Sequence, residues 1–270
     1  DGVQLMAALG APLAVTDVAT VIGTASSDAA RLLGAGTYSL SSIETAIGAA
    51  ASGDNIELMS AMAVSVSAVD SILGTAGTDS VVLMAADTVK VSMIDTVRGS
   101  SGADTVVMLG DDVPVTVSLI ETVVGSAGTD TIALAGIGSV AISAIESVVG
   151  SGVQDAVKLL ATGSVGVTNV DTVIGTAGAD TVTILGSGPA VYVSSIESVV
   201  GTTATGEIVK LMGATAISVS AIEQVQGTVG AGDSVAMIGG TAVSVSVTNI
   251  EFALGTTASG DVVVMMGAGT

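Results

Sequence analysis

Cysteine, histidine and tryptophan are absent from this 270-residue chain, and each absence removes a chemistry. Without cysteine there is no disulfide framework and no thiol nucleophile, and the redox compartment stays open. Without histidine as well, the commonest general base and the soft-metal ligands are gone. Aromatic residues make up 1% of the chain, and Tyr38, Tyr192 and Phe252 are all of them. A core must therefore come from Val, Ile, Leu, Ala and Met, packed where narrow spaces exclude rings. Only five basic residues face 25 acidic ones, for a net charge of −20. A phosphate backbone would be repelled, so no nucleic-acid partner is expected, and cations are the natural counterparts. Hydrophobic residues reach 49%, yet no run of 18 escapes a Ser, Thr, Gly or acidic interruption, and no transmembrane segment is expected. The chain opens on Asp1-Gly2, as a processed or excised segment would, with no Met-initiated signal peptide.

What is present is a repeat. Thirty-six glycines and an abundance of Val, Thr and Ser favour strands and tight turns. Glycines end one segment at Gly23, Gly48, Gly74, Gly99, Gly125, Gly150, Gly175, Gly201, Gly227 and Gly255, a period of 25 to 28 residues. Each copy holds three apolar segments, too short for helices and rich in β-branched residues. In the first, Val81, Val106 and Ile132 and then Leu83, Met108 and Leu134 flank a variable column that includes Arg31, Glu57, Val82, Val107, Lys158, Lys210 and Val264. That is strand alternation, apolar inward and tolerant outward. The second alternates as in Val64-Ser65-Val66-Ser67, with a Ser/Thr column through Ser67, Ser92 and Ser118. In the third, Ile120 and Val123 both want the interior, which predicts a corner or bulge between them.

These patterns predict an all-β fold, a parallel β-solenoid of about ten coils with three short strands per coil, running as a single continuous repeat through 1–270. Equivalent residues of successive copies, such as Val81, Val106 and Ile132, are expected to stack about 4.8 Å apart. The chain stops mid-coil at Gly269-Thr270 with no polar cap, so a longer protein or a stacked assembly is expected.

Twenty of the 25 carboxylates fall in two columns. Eleven, among them Asp28, Asp54, Asp79, Asp104, Asp130, Asp155, Asp180 and Glu207, stand in loops before the first segment; nine, among them Glu44, Asp70, Asp95, Glu121, Glu197 and Glu223, precede the third. Like charges about 5 Å apart repel by roughly 1 kcal/mol even in water. Two explanations stand: a divalent cation between carboxylates with glycine carbonyls completing an oxygen shell, or carboxylates accepting backbone N–H bonds as turn caps.

The loops Gly74-Thr-Ala-Gly77-Thr-Asp79, Gly99-Ser-Ser-Gly102-Ala-Asp104, Gly125-Ser-Ala-Gly128-Thr-Asp130 and Gly175-Thr-Ala-Gly178-Ala-Asp180 resemble the haemolysin-type (RTX) calcium-binding repeat, Gly-Gly-x-Gly-x-Asp with an apolar residue two places on. The resemblance implies a parallel β-roll, export by type I secretion, and calcium held at those glycines and aspartates. It departs from the family in placing Thr or Ser at the second glycine. Such repeats occur in adhesins, surface-layer proteins and secreted enzymes.

The expectation for function is an extracellular, cell-surface structural or adhesive module that self-associates, binds calcium, takes no small-molecule substrate and is not an enzyme. The acidic pairs recur in every copy, whereas an active site needs one copy unlike the rest. Two alternatives are an export region of an enzyme whose catalytic domain lies outside this chain, and an ice- or polysaccharide-binding solenoid using its Ser/Thr face.

Overall fold

In the computed structural model, residues 1–267 are described apart from 8–9, 50–52, 111–113, 137, 153, 187, 189, 203–205, 231 and 240–243. The expected mid-coil stop at Gly269 and Thr270 lies outside the described residues. These contain 31 strands. The chain divides into two compact units, 1–133 and 134–270, with the boundary inside the strand Thr131–Leu134.

Within each unit the strand pairings are parallel, and each strand pairs with the next but one in sequence. In the first unit Ala63–Ser67, Ser80–Leu83, Thr96–Arg98 and Val115–Ser118 are successive neighbours in one sheet. Ser71–Leu73, Thr88–Ser92, Thr105–Met108 and Thr122–Val124 are successive neighbours in the other. The second unit repeats this, as in Ser164–Thr168, Thr181–Ile184, Ser198–Val200 and Ala216–Ser220. The protein is an all-β parallel β-solenoid with about 14 turns.

Two strands, not three, make one turn. The sequence copy has three segments because all three of its breaks reverse the chain, so one copy winds one and a half turns. Val81 therefore pairs with Val64 and Val97, while Val106 pairs with Val89 and Val123 in the opposite sheet. The expected direct stacking of Val81 on Val106 does not occur, and ten three-strand coils become about 14 two-strand turns. For the same reason the Ser/Thr column is shared between two faces.

Alternation is as the sequence predicts. Val64, Val66, Val81, Leu83, Val89, Val91 and Val97 are buried, and Arg31, Glu57, Lys90 and Lys158 point outward and are exposed. Thin spacing between two sheets, about 10 Å, suits Val and Ile. Tyr38 is the departure from a ring-free interior: it is 3% exposed, in the inward place held by Val64 in the next copy. Nearby copies of the opposite sheet carry Ala30 and Ala46 where later ones carry Val81 and Val97, and the Tyr38 hydroxyl donates to the Gly34 carbonyl. Ile120 and Val123 are both buried, with a bend at Glu121 between them.

The break between second and third segments has a fixed form. Its first residue is left-handed in every copy, with φ between 51° and 55° at Ser42, Ala68, Met93, Leu119, Ala144, Asn169, Ser195 and others. A left-handed L-residue costs about 1–2 kcal/mol, so the surroundings must impose it. Leu119 is 57% exposed and gains little from its side chain. Leu119→Gly is therefore expected to stabilise the fold by about 0.5–1 kcal/mol after the extra unfolded-state freedom of glycine is deducted. Urea titration of the variant checks this; a lower midpoint would contradict it.

Candidate functional site

The turns collect on the two margins of the solenoid, and so do the carboxylates. Around Asp79 the arrangement is complete. Asp79 Oδ2 accepts from the Thr75 N–H at 2.6 Å and the Thr75 hydroxyl at 2.8 Å. Asp79 Oδ1 accepts from the Met62 N–H at 2.8 Å, one turn away. The Asp79 N–H donates to Asp95 Oδ2 at 2.8 Å, and the Asp95 N–H donates back to the Asp79 carbonyl at 3.0 Å. Through its carboxylate and its backbone together Asp79 thus joins three consecutive turns, and the second acidic column caps the first. This reciprocity resembles a helix capping box, transferred to stacked turns.

The same bonds recur. Asp104 accepts from Ser100 N–H, Ser100 hydroxyl and Asp87 N–H, and its own N–H donates to Glu121. Asp180 accepts from Thr176 N–H, Thr176 hydroxyl and Gly163 N–H, and donates to Glu197. Asp130 accepts from Ser126 N–H and hydroxyl. All four aspartates are fully buried.

The glycines of the candidate loops have packing duties. A Cβ on Gly74 would stand 1.9 Å from the Met93 carbonyl oxygen, and one on Gly99 1.8 Å from that of Leu119. Each such glycine lets a turn close against the left-handed residue of the turn beside it. The inner glycines meet the remaining break: a Cβ on Gly77 would be 2.5 Å from Ala61 Cβ, one on Gly102 2.5 Å from Ala86 Cβ, and one on Gly178 2.1 Å from Thr162 Oγ1. The N–H groups of Gly77, Gly102, Gly128 and Gly178 donate to the hydroxyl of the residue after the leading glycine.

Burial and hydrogen bonding oppose each other at these acids. Burial works to raise the Asp180 carboxyl, but its bonds from Thr176 and Gly163 prevail and hold it below the usual range. Asp54 goes the other way: burial, outweighing the Ala49 N–H bond and helped by the Asp70 charge, raises it. Its copy has Ala49 where others have Thr or Ser, so that position supplies an N–H but no hydroxyl, and its Oδ1 is buried without a hydrogen-bond partner. Glu207 and Glu223 form a coupled pair. Burial pushes Glu223 up, with Glu207 adding to it, while at Glu207 the Thr202 contacts overcome burial and lower it.

A calcium ion takes 6–8 oxygens at 2.3–2.6 Å. Both carboxylate oxygens of Asp79, Asp104 and Asp180 already face N–H or O–H donors. Successive loop aspartates sit on opposite margins, and those on one margin are three turns apart, about 14 Å at ordinary strand spacing. A cation bridging successive carboxylates of the column is excluded by that distance. Among the described residues no three acidic side chains form a metal-holding group.

Two features were not singled out from sequence. One is the hydroxyl column itself, Thr24, Thr75, Ser100, Ser126, Ser151 and Thr176, whose signal was its place in the position of the family glycine. The other is an apolar residue just past each first segment, as at Leu33, Met59, Met84, Leu109, Leu160 and Leu185, 44–55% exposed. Tyr192 lies beside Lys210 in the adjacent strand, with the ammonium 5.1 Å from the ring centroid.

The family model of the RTX calcium-binding nonapeptide repeat (4 copies) matches residues 92–107 and 165–183. No curated protein and no solved structure matches the chain. Among the described residues no helix is long and apolar enough to cross a membrane. RTX repeats in a β-solenoid fit a repeat module of a secreted protein.

Proposed function

We propose that this chain, an RTX-type repeat solenoid, is an extracellular structural or adhesive module that performs no catalysis and associates with copies of itself. The observation that carries the reading is the use of the margin acids. From Asp28 with Glu44 to Asp233 with Glu251, the same carboxylate pair holds the backbone of neighbouring turns. Acidic groups committed to backbone N–H bonds in copy after copy build length. Calcium belongs to this reading through the matched repeats, while both carboxylate oxygens of Asp79, Asp104 and Asp180 are already met by N–H or O–H donors.

Self-association draws support from the exposed turn residues. Leu33, Met59, Met84 and Leu109 recur along the margins of the first unit, and Leu160 and Leu185 on those of the second. Of the apolar outward positions Val82, Val107 and Val264, which could pack laterally, the first two are half-buried and Val264 is exposed. With a net charge of −20, copies repel at low salt, and association should strengthen as ionic strength shortens the Debye length. Electron microscopy and sedimentation in 0.05 and 0.5 M NaCl test this. Filaments or sheets favoured by salt are expected, and Leu33→Ser with Met84→Ser and Leu185→Ser should reduce them. Discrete particles at every salt concentration would refute self-association.

One observation favours a second reading. Ser164, Thr181, Ser198 and Ser218 are register partners on four adjacent strands, as are Thr88, Thr105 and Thr122 in the first unit. Such hydroxyl rows suit a polysaccharide or ice surface. Glycan-array binding or thermal hysteresis, lost on Thr181→Val with Ser198→Val, would establish it.

A further inference from the structure

We infer that the acidic margins are a hydrogen-bonded replacement for bound metal, so that this solenoid folds and keeps its turns closed in calcium-free solution.

The argument starts from the place where the loops depart from the calcium-binding pattern. Where that pattern has its second glycine, this chain has Thr75, Ser100, Ser126 and Thr176. In each loop that residue gives both its N–H and its hydroxyl to one aspartate oxygen, at 2.5–3.0 Å. The hydroxyl oxygen then accepts the N–H of the inner glycine at 3.0–3.2 Å. A carboxylate oxygen receiving two donors has its lone pairs directed at protons, and a cation there would meet the donors' positive ends. The substitution that weakens the family motif is the one that supplies the alternative partner.

In four copies the other oxygen is engaged from the neighbouring turn, whereas Asp28, Asp54 and Asp155 keep a buried Oδ1 without a hydrogen-bond partner. Met62, Asp87 and Gly163 donate their N–H groups to Asp79, Asp104 and Asp180, and Thr215 does the same for Asp233. A metal would join turns by drawing oxygens together; here the aspartate joins them by drawing N–H groups together. The negative charge of each of these four is met by three oriented dipoles, charge-assisted bonds stronger than neutral ones. The chain also contains its own comparison. Asp54, whose loop has Ala49 in the place of that hydroxyl residue, is raised by burial, whereas Asp180 with its full set of bonds is lowered despite burial.

The test uses the whole chain, dialysed against EGTA and then split into chelator, calcium, magnesium and sodium chloride of matched ionic strength. Far-UV circular dichroism, thermal melting and calorimetric titration with calcium chloride are measured. The expected result is an undiminished β-sheet spectrum in chelator and no calcium-specific rise in melting temperature. A rise that matched sodium chloride reproduces reflects screening of the −20 charge and supports the inference. A chain unstructured in chelator, or a rise specific to calcium, overturns it, because a ligand that binds only the folded state must raise its melting temperature. Thr75→Val with Ser100→Ala supplies an independent arm. These changes remove two hydroxyl donors without adding bulk and should lower the melting temperature by several degrees in chelator, with no recovery in calcium. Unchanged melting, or recovery on adding calcium, would also overturn the inference.

Discussion

Gly74→Ala should unfold the turns around it, with a loss of about 3 kcal/mol or more. The added methyl would lie 1.9 Å from the Met93 carbonyl oxygen and 2.8 Å from its carbon, and both atoms are backbone. Overpacking of a close contact costs about 1–3 kcal/mol when side chains can yield, and here a left-handed residue at φ 55° would have to move instead. Against this, the entropic gain of replacing glycine is under about 1 kcal/mol. Solenoid stability sums over nearest neighbours, so the damage should centre on the turns holding Gly74 and Met93. Hydrogen exchange is expected to show lost protection there first, with a lower urea midpoint. Gly213→Ala, where nothing lies within 4 Å of the added carbon, is the control and should be nearly neutral. Equal behaviour of the two variants would refute the close-approach account.

Asp180→Asn and Asp54→Asn should act in opposite directions at neutral pH. The Asp180 carboxyl lies below its usual value in the folded chain. Its contribution is therefore fully present above the unfolded value, about 3.9, and is lost as pH falls through the folded value. Replacing it with Asn should cost about 1–3 kcal/mol at pH 7, from weakened bonds to Thr176 and Gly163, and the gap to the parent should narrow under acid. Asp54 is raised, so its contribution is present below the unfolded value and lost as pH rises through the folded one. Asp54→Asn should match or exceed the parent at pH 7, and lose that advantage under acid. Melting curves from pH 3 to 8 decide this; parallel losses for both variants at pH 7 would contradict it.

Much of this was legible in the sequence. The inward columns, the outward tolerance of Glu57 and Lys158, and the corner beside Ile120 all follow from alternation. The number of strands per turn was not legible, because self-similarity measures how the chain was copied and says nothing of how it winds. Three segments can close a triangular coil or pass one and a half times around a flat one. The choice was made at Gly74 and Met93, where the turn closes by contact between residues 19 apart in sequence. Left-handedness at Met93 or Leu119 carries no sequence signal, since both are bulky residues that ordinarily avoid it. At the margin, the residue types fitted both a cation and a cap. The deciding fact is that Thr75, Ser100 and Thr176 point their hydroxyls at the loop aspartates.

A three-segment copy wound on a two-strand turn relates each copy to the next by a half rotation and a rise of one and a half turns, about 7 Å. Within each unit this approximates a twofold screw axis, so opposite sides display the same chemistry, displaced along the axis. Any surface that such a unit recognises on one side it can recognise on the other, which favours growth of layers over closed pairs. Gain or loss of a single copy would exchange the sides of everything after it while leaving their character intact, so length can vary freely without altering what is displayed.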